Sequence, residues 1–246
     1  MSGLQSIYIL SSRLSMQQKK LDSVAVNVAN SNTPGFKRQG VDFETLVGGR
    51  PTRPAGQFVV DRGFNTTFTQ GPLNQTGNPL DAAIIGQGFF AVTSLAGDQP
   101  NYTRDGHFGL TPAGTLVNTQ GQPVLDNTGN QINLPPNEQI KIAPDGTITS
   151  NGQTVAQLGV FAIEPDVPLI RVGGNQFQTQ GGAAPVLAQN VQILSGAVEG
   201  SNVDPVLEAV RMTEASQAYQ GAARLLSRLE DLQSRAIREL PQQSNR

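Results

Sequence analysis

The last part of the chain constrains the fold most. After Asn202-Val203-Asp204-Pro205 no Gly or Pro occurs until Gly221, and none again until Pro241. Across that stretch Ala215, Ala218, Ala222, Leu225, Leu229, Leu232 and Ala236 return at spacings of three and four. This is an a/d seam with a period of ~3.5 residues, which predicts a helix packed as a coiled coil. Asn202 or Asp204 supplies a capping oxygen, and Pro205 suits a first helical turn. The first half of the seam is alanine and the second mostly leucine. Small residues let helix axes approach, so the alanine half is expected to pack tightest. Asp231 with Arg235, and Arg235 with Glu239, are spaced as i,i+4 pairs. Each adds only ~0.2–0.5 kcal/mol, which favours solubility without holding the helix together.

The beginning of the chain repeats the theme. Between Leu4 and Asn30 there is no Pro or Gly. Ile7, Leu14, Leu21 and Val28 recur every seventh residue, with Leu10 and Val24 three places after two of them. That spacing predicts an amphipathic helix. It stops at Asn32-Thr33-Pro34-Gly35. Proline removes a backbone donor and biases Thr33 out of the helical region, while glycine tolerates the turn. A lone amphipathic helix of this length is marginal in water. The two ends are therefore expected to bury their seams against each other or against other subunits.

The middle reads differently. Asp105-Gly106, Asp126-Asn127-Thr128-Gly129, Asp145-Gly146 and Asn151-Gly152 are turn signals. They separate short runs such as Phe89-Phe90-Ala91-Val92, Thr115-Leu116-Val117, Ile140-Lys141-Ile142 and Val160-Phe161-Ala162-Ile163. Short runs between tight turns predict antiparallel β-structure rather than βαβ crossovers. The fold class is thus mainly β with helical termini: N- and C-terminal α-helices pairing as a coiled coil, and a central antiparallel β-domain. The expected divisions are an N-terminal helix over 1–36, an extended arm over 37–82 with one or two strands, a β-rich domain over 83–202, and a C-terminal coiled-coil helix over 203–246.

Several chemistries lack residues. The chain has no Cys, which removes disulfides and thiolate metal sites. His107 is the single histidine, so a histidine-based triad has one position to rest on, and a zinc site would have to be carboxylate-rich. Asp105, Asp126 and Asp145 lie in turns without the spaced acidic pattern of a calcium loop. Gly86-Gln87-Gly88 opens like a dinucleotide fingerprint, but Ala91 replaces the third glycine and a strand follows it. A tight bend into the Phe89-Phe90 strand accounts for those glycines. No catalytic, cofactor-binding or metal residue is assigned, and no cofactor is expected. The net charge of −2 and sparse basic residues argue against nucleic acid as a partner. No apolar run approaches the ~18 residues that cross a bilayer, and no apolar stretch of a cleavable signal follows the start.

The segment Leu21-Asp22-Ser23-Val24-Ala25-Val26-Asn27-Val28-Ala29-Asn30-Ser31-Asn32-Thr33-Pro34-Gly35-Phe36-Lys37 resembles the N-terminal signature of the flagellar rod and hook proteins. Gly86-Gln87-Gly88-Phe89-Phe90 with Tyr102-Thr103-Arg104-Asp105-Gly106-His107-Phe108 resembles the opening of that family's β-domain. Glu199-Gly200-Ser201-Asn202-Val203-Asp204-Pro205 resembles its lead-in to the C-terminal helix. Val26 and Gln217 depart from residues common in the family. The chain is shorter than a hook protein and carries a larger β insert than the smallest rod proteins. Its Leu194–Val203 run and short connector are more like the proximal-rod member than the distal one.

The resemblance implies a non-enzymatic subunit of the basal-body rod in the periplasm, exported through the flagellar type III channel without a cleavable signal and needed for swimming. Its implied partners are other rod proteins, copies of itself and the export apparatus, with no small-molecule substrate and no membrane insertion. In this frame Ile7, Leu14, Leu21, Val28, Leu225, Leu229 and Leu232 bury the inter-helix seam, and Ala215, Ala218 and Ala222 permit close approach. Asn27, Asn30 and Asn32 satisfy backbone groups where the first helix ends, or simply terminate it. Gly35 and Phe36 set that turn, and Asn202 and Val203 lead into the last helix. Two rival classes are a hydrolase or lyase centred on His107, and a secreted effector or adhesin that shares only the export route.

Overall fold

The computed structural model describes residues 3–48, 56–94, 97, 99–135, 138–164, 167–173, 175–182, 185–189 and 191–239. The chain has a mainly β central part with one helix near each terminus. It divides into two compact units.

The first unit comprises Met1–Asn30, Arg38–Thr67 and Val203–Arg246. Helix α1 runs Gly3–Ala29. A long antiparallel hairpin follows, β1 (Gln39–Gly48) and β2 (Gly56–Thr66), with a bulge between Asp42 and Phe43. The alternation Val41-Asp42-Phe43-Glu44 is a period-two signal for β1. The hairpin packs on α1. Helix α2 runs Pro205–Glu239 and lies along α1. Of the two capping candidates, Asp204 takes the role. Its Oδ1 accepts from the Val206 and Leu207 backbone N–H at 2.9 and 3.1 Å, with Pro205 in the first turn.

The second unit comprises Ser31–Lys37 and Phe68–Asn202. Its largest element is a six-stranded sheet in the order Leu169–Gly173, Gln176–Thr179, Asn101–Thr103, Phe89–Val92, Val160–Ala162, Val186–Leu187. Every pairing in it is antiparallel. The strand Phe89–Val92 is buried on both faces. Phe90 and Val92 join Ile84, Leu116, Val124 and Ile148, while Phe89 and Ala91 join Tyr102, Leu125 and Phe177. Period-two alternation thus splits adjacent phenylalanines between two cores, and both are core residues. Gly88, at φ +138°, makes the bend that leads into this strand, with the Val160 side chain close to where a Cβ would stand.

A three-stranded sheet, Ile140–Ile142, Thr147–Ser150 and Gln153–Gln157, uses two of the expected turns. Asn151 and Gly152 both have positive φ, as a two-residue hairpin matched to strand twist requires. Asp145 turns the other hairpin by accepting from the Thr147 N–H at 3.0 Å.

Candidate assembly interface

Gly35, Phe36 and Lys37 end the N-terminal signature inside the second unit. The Gly35 N–H donates to the Glu199 carbonyl at 2.7 Å, and the Asn202 N–H donates to the Phe36 carbonyl at 3.3 Å. The stretch that leaves the first signature therefore runs against the stretch that leads to α2. Gly35 has φ +67°, and an added Cβ would stand 2.3 Å from the Asp105 backbone nitrogen. Both observations demand glycine. The buried Phe36 ring lies under the Arg171 guanidinium at 4.9 Å, and Arg171 also donates to the Lys37 carbonyl at 2.7 Å. Asn202 Nδ2 donates to the Thr69 carbonyl at 3.0 Å.

A buried charge cluster closes this junction. Lys37 is 0% exposed, and its Nζ meets Glu199 Oε1 at 2.5 Å and the Thr69 carbonyl at 2.8 Å. Arg104 meets Glu199 Oε2 at 3.0 Å, donates to the Gly86 carbonyl at 2.8 Å, and lies over the Phe89 ring. The Gly71 N–H donates to Glu199 Oε1 at 2.9 Å. Burial pulls the Lys37 and Arg104 values down, and the Glu199 carboxylate works against that in both. Two cations share one anion here, so the remaining charge is spread over carbonyl dipoles. Buried charges persist only when paired and hydrogen-bonded in this way. Composition and spacing do not point to this cluster. Its three charged residues nevertheless lie one in each of the three blocks that carry the family resemblance.

The first unit has a polar junction of its own. Asn27 is fully buried, and its amide brackets the Gln39 backbone: Nδ2 donates to the carbonyl at 2.8 Å and Oδ1 accepts from the N–H at 2.9 Å. It acts as a strand partner at the head of β1, a role beyond terminating the helix. Ser23 Oγ adds a bond to the same carbonyl at 2.9 Å. Asn27 Nδ2 also reaches Glu208 on α2 at 3.4 Å. Glu208 is buried between Arg38 at 2.7 Å and Arg211 at 2.5 Å. Burial pushes its carboxyl up, but hydrogen bonds from Arg38 and Arg211 outweigh this and hold it below the usual range. Asn30 closes α1, donating from Nδ2 to the Val26 carbonyl at 2.8 Å. Asn32 is exposed.

On α1, Ile7, Leu14, Leu21 and Val28 are half-buried and Val24 is buried. On α2 Glu208, Met212, Ala215, Tyr219, Ala222, Leu226, Leu229 and Gln233 are sheltered at spacings of four and three, again a seven-residue recurrence, with Arg211, Ser216, Gly221 and Ala223 half-buried beside them. Ala215, Ala222 and Leu229 of the expected seam lie on it. Ala218, Leu225 and Leu232 fall one position to the side and are exposed, Leu225 at 54% and Leu232 at 61%. Val206, Leu207 and Val210 are exposed as well. α2 therefore carries an outer apolar stripe in addition to the sheltered one. Val203 is buried. No helix among the described residues is long and apolar enough to cross a membrane.

His107, the single histidine, is half-exposed and places Nδ1 3.0 Å from Asp81. Asp105 spends one carboxylate oxygen on the His107 backbone N–H at 3.0 Å. The bond from the His107 N–H is turn chemistry, and the Thr119 side chain also hydrogen-bonds the Asp105 carboxyl.

Comparison with known proteins places the same three blocks. The family model for the flagella basal body rod protein matches residues 7–37. The flagellar hook protein FlgE/F/G D1 domain matches 83–150, and the flagellar basal body rod FlgEFG protein C-terminal region matches 194–239. The flagellar basal-body rod protein FlgF of Caulobacter vibrioides is 34% identical over 244 residues, covering 96% of this chain and 97% of that protein. The chain belongs to the flagellar basal-body rod protein family. Within the family it is FlgF-like: FlgF of Mesorhizobium japonicum is 35% identical, covering 97% of this chain and 99% of that protein. FlgG of Agrobacterium fabrum is near, at 32% identity with 94% and 97% covered. Rod-family membership makes this a structural protein of the basal-body rod.

Proposed function

We propose that this chain is an axial subunit of the proximal flagellar rod in the periplasm, built into the tube by its terminal helices. The observation that carries the reading is the second apolar stripe on α2, where Leu207, Val210, Ala218, Leu225 and Leu232 stand exposed beside a seam already sheltered. Apolar positions at coiled-coil spacing are favourable only when another helix covers them. In this reading α1 and α2 pair as a coiled coil and neighbouring rod subunits, other rod proteins or copies of this chain, cover the outer stripe. The chain leaves the cell unfolded through the type III export channel, and its helices order fully on assembly. Ordering costs ~1–2 kcal/mol of backbone entropy per residue, which burial at ~25 cal/mol per Å² along several neighbours offsets.

Electron cryotomography of basal bodies in cells deleted for this gene, scored with swimming, tests the assignment. A rod that stops short, restored by complementation, is the expected result. Arrest at the distal end would move the chain to a distal, FlgG-like position, a second reading kept open by the FlgG relatives of nearly full length. Normal rods and swimming would overturn rod assembly as its role and favour a secreted effector or adhesin.

A further inference from the structure

The segment Ser31–Lys37 leaves the first unit after α1, enters the second, and the chain returns to the first at Arg38. The chain passes between the units at four points: Asn30–Ser31, Lys37–Arg38, Thr67–Phe68 and Asn202–Val203. The first two exist only because this short segment is docked on the β-domain.

The surface it docks on is complete without it. If Lys37 is withdrawn, Glu199 keeps Arg104 at 3.0 Å and the Gly71 N–H at 2.9 Å. The Thr69 carbonyl keeps Asn202 Nδ2 at 3.0 Å. If Phe36 leaves, Arg171 keeps the Phe177 ring at 4.8 Å. Each of these groups retains a partner, so release of the segment orphans none of them.

Charge also favours release. Docked, Lys37 and Arg104 share the single Glu199 carboxylate. The charged groups that act on Lys37 are that carboxylate, which attracts it, and the Arg104 guanidinium, which repels it. Undocked, Arg104 and Glu199 remain as a one-to-one pair and Lys37 regains water. An unmatched buried charge is costly. The docked state therefore rests on the burial of Phe36 and on bonds to the segment's backbone. Those bonds run from Asn175 Nδ2 to the Pro34 carbonyl, from the Gly35 N–H to the Glu199 carbonyl, from the Asn202 N–H to the Phe36 carbonyl, and from Arg171 to the Lys37 carbonyl. They form only when the whole segment is ordered, which costs backbone entropy. Where neighbouring subunits already hold α1, the end of the segment is fixed and that cost falls.

Resting on the rod reading above, we propose that Ser31–Lys37 is a clasp, open in the free subunit while the β-domain stays folded, and closed once the subunit is built into the rod. Opening reduces the four crossings to two and gives α1 slack while it finds its neighbours. Closing ties α1 to the stretch that leads into α2.

The Lys37 amine reports the state of the clasp. It is 0% exposed when docked, whereas Lys141 is exposed in the same unit. The free full-length chain and purified basal bodies are treated with a water-soluble acetylating reagent, and mass spectrometry reads the rate at Lys37 relative to Lys141. Hydrogen exchange over Phe89–Val92, a strand buried on both faces, reports whether the β-domain stays folded. In the free chain Lys37 is expected to react while Phe89–Val92 stays protected, and the ratio is expected to fall about tenfold or more in basal bodies. Lys37 blocked equally in both samples overturns the clasp and leaves the rod assignment standing. So does Lys37 that reacts only as fast as Phe89–Val92 loses protection, because the segment then opens only by unfolding. An equal, high ratio in both samples overturns closure on assembly. A chain missing from basal bodies overturns the rod reading and closure with it, and the free chain alone then decides whether the clasp opens.

Discussion

Lys37 and Glu199 are separated by 162 positions and meet at 2.5 Å with both side chains buried. Arg104 shares the same carboxylate at 3.0 Å. The first residue closes the N-terminal signature, the second opens the lead-in to α2, and Arg104 lies in the β-domain block between them. Removal of the shared anion should be far more damaging than removal of one cation. Glu199→Gln leaves two buried cations without a counter-charge, and a loss of ~3–5 kcal/mol is expected. Lys37→Met keeps the Arg104–Glu199 pair and the bulk of the lysine stem, so a smaller loss is expected. Urea denaturation of the full chain followed by circular dichroism measures both; the reverse order would refute the shared-anion account.

Asn27→Ala removes both bonds to the Gln39 backbone and leaves that N–H and carbonyl to find other partners. A loss of ~1–3 kcal/mol is expected from the unsatisfied groups. Hydrogen exchange should speed at Gln39 and its neighbours in β1, while the Ile140–Ser150 hairpin of the second unit keeps its protection. Unchanged exchange at Gln39 would show that the asparagine only ends the helix.

Gly35→Ala meets a positive φ and the Arg104–Asp105 backbone at once. The left-handed conformation alone costs ~1–2 kcal/mol, and the steric displacement adds to it. A clear drop in melting temperature is expected. Gly121, also at positive φ but with open space around its Cβ position, is the control: Gly121→Ala should cause the smaller drop, and equal drops would remove the close approach as a factor.

Glu208 makes the first unit acid-sensitive. Its folded value lies below that of the unfolded chain, which is ~4.3 for a free glutamate. Its contribution is therefore fully present above the unfolded value and is lost as pH falls through the folded one. Helical signal monitored by circular dichroism should decline on acidification from about that point. Glu208→Gln should be less stable at neutral pH and flatter across the acid range; an unchanged acid profile in that variant would exclude Glu208 as the source.

Two substitutions on α2 separate folding from assembly. Ala222→Glu places a carboxylate on the sheltered face and should block rod assembly while the β-domain stays folded. Leu225→Glu changes the exposed stripe and should leave the helical signal of the free chain intact while still reducing rod assembly. Wild-type rods in the Ala222→Glu strain would refute the proposed coiled-coil packing, and full motility with Leu225→Glu would show that the outer stripe needs no cover.

The sequence alone determined the features that depend on neighbours in the chain. The heptad spacing placed both helices, and Asp145-Gly146 and Asn151-Gly152 placed two hairpins, because period and turn chemistry are local. The blocks around Asn27–Lys37, Arg104 and Glu199 also marked the family. What those blocks do to one another was decided only by the tertiary structure. Lys37, Arg104 and Glu199 look like ordinary surface charges until folding removes water from all three, and burial is what forces them together. The same limit applies to α2. Leu225 and Leu226 are adjacent leucines, each compatible with a period of ~3.5 residues, and the fold half-buries the second while leaving the first exposed. The β1–β2 hairpin was legible only as an arm with one or two strands, because its pairing lies against α1, a contact that local sequence does not specify. Periodicity fixes which residues can share a face; only the packed neighbour decides which face is covered.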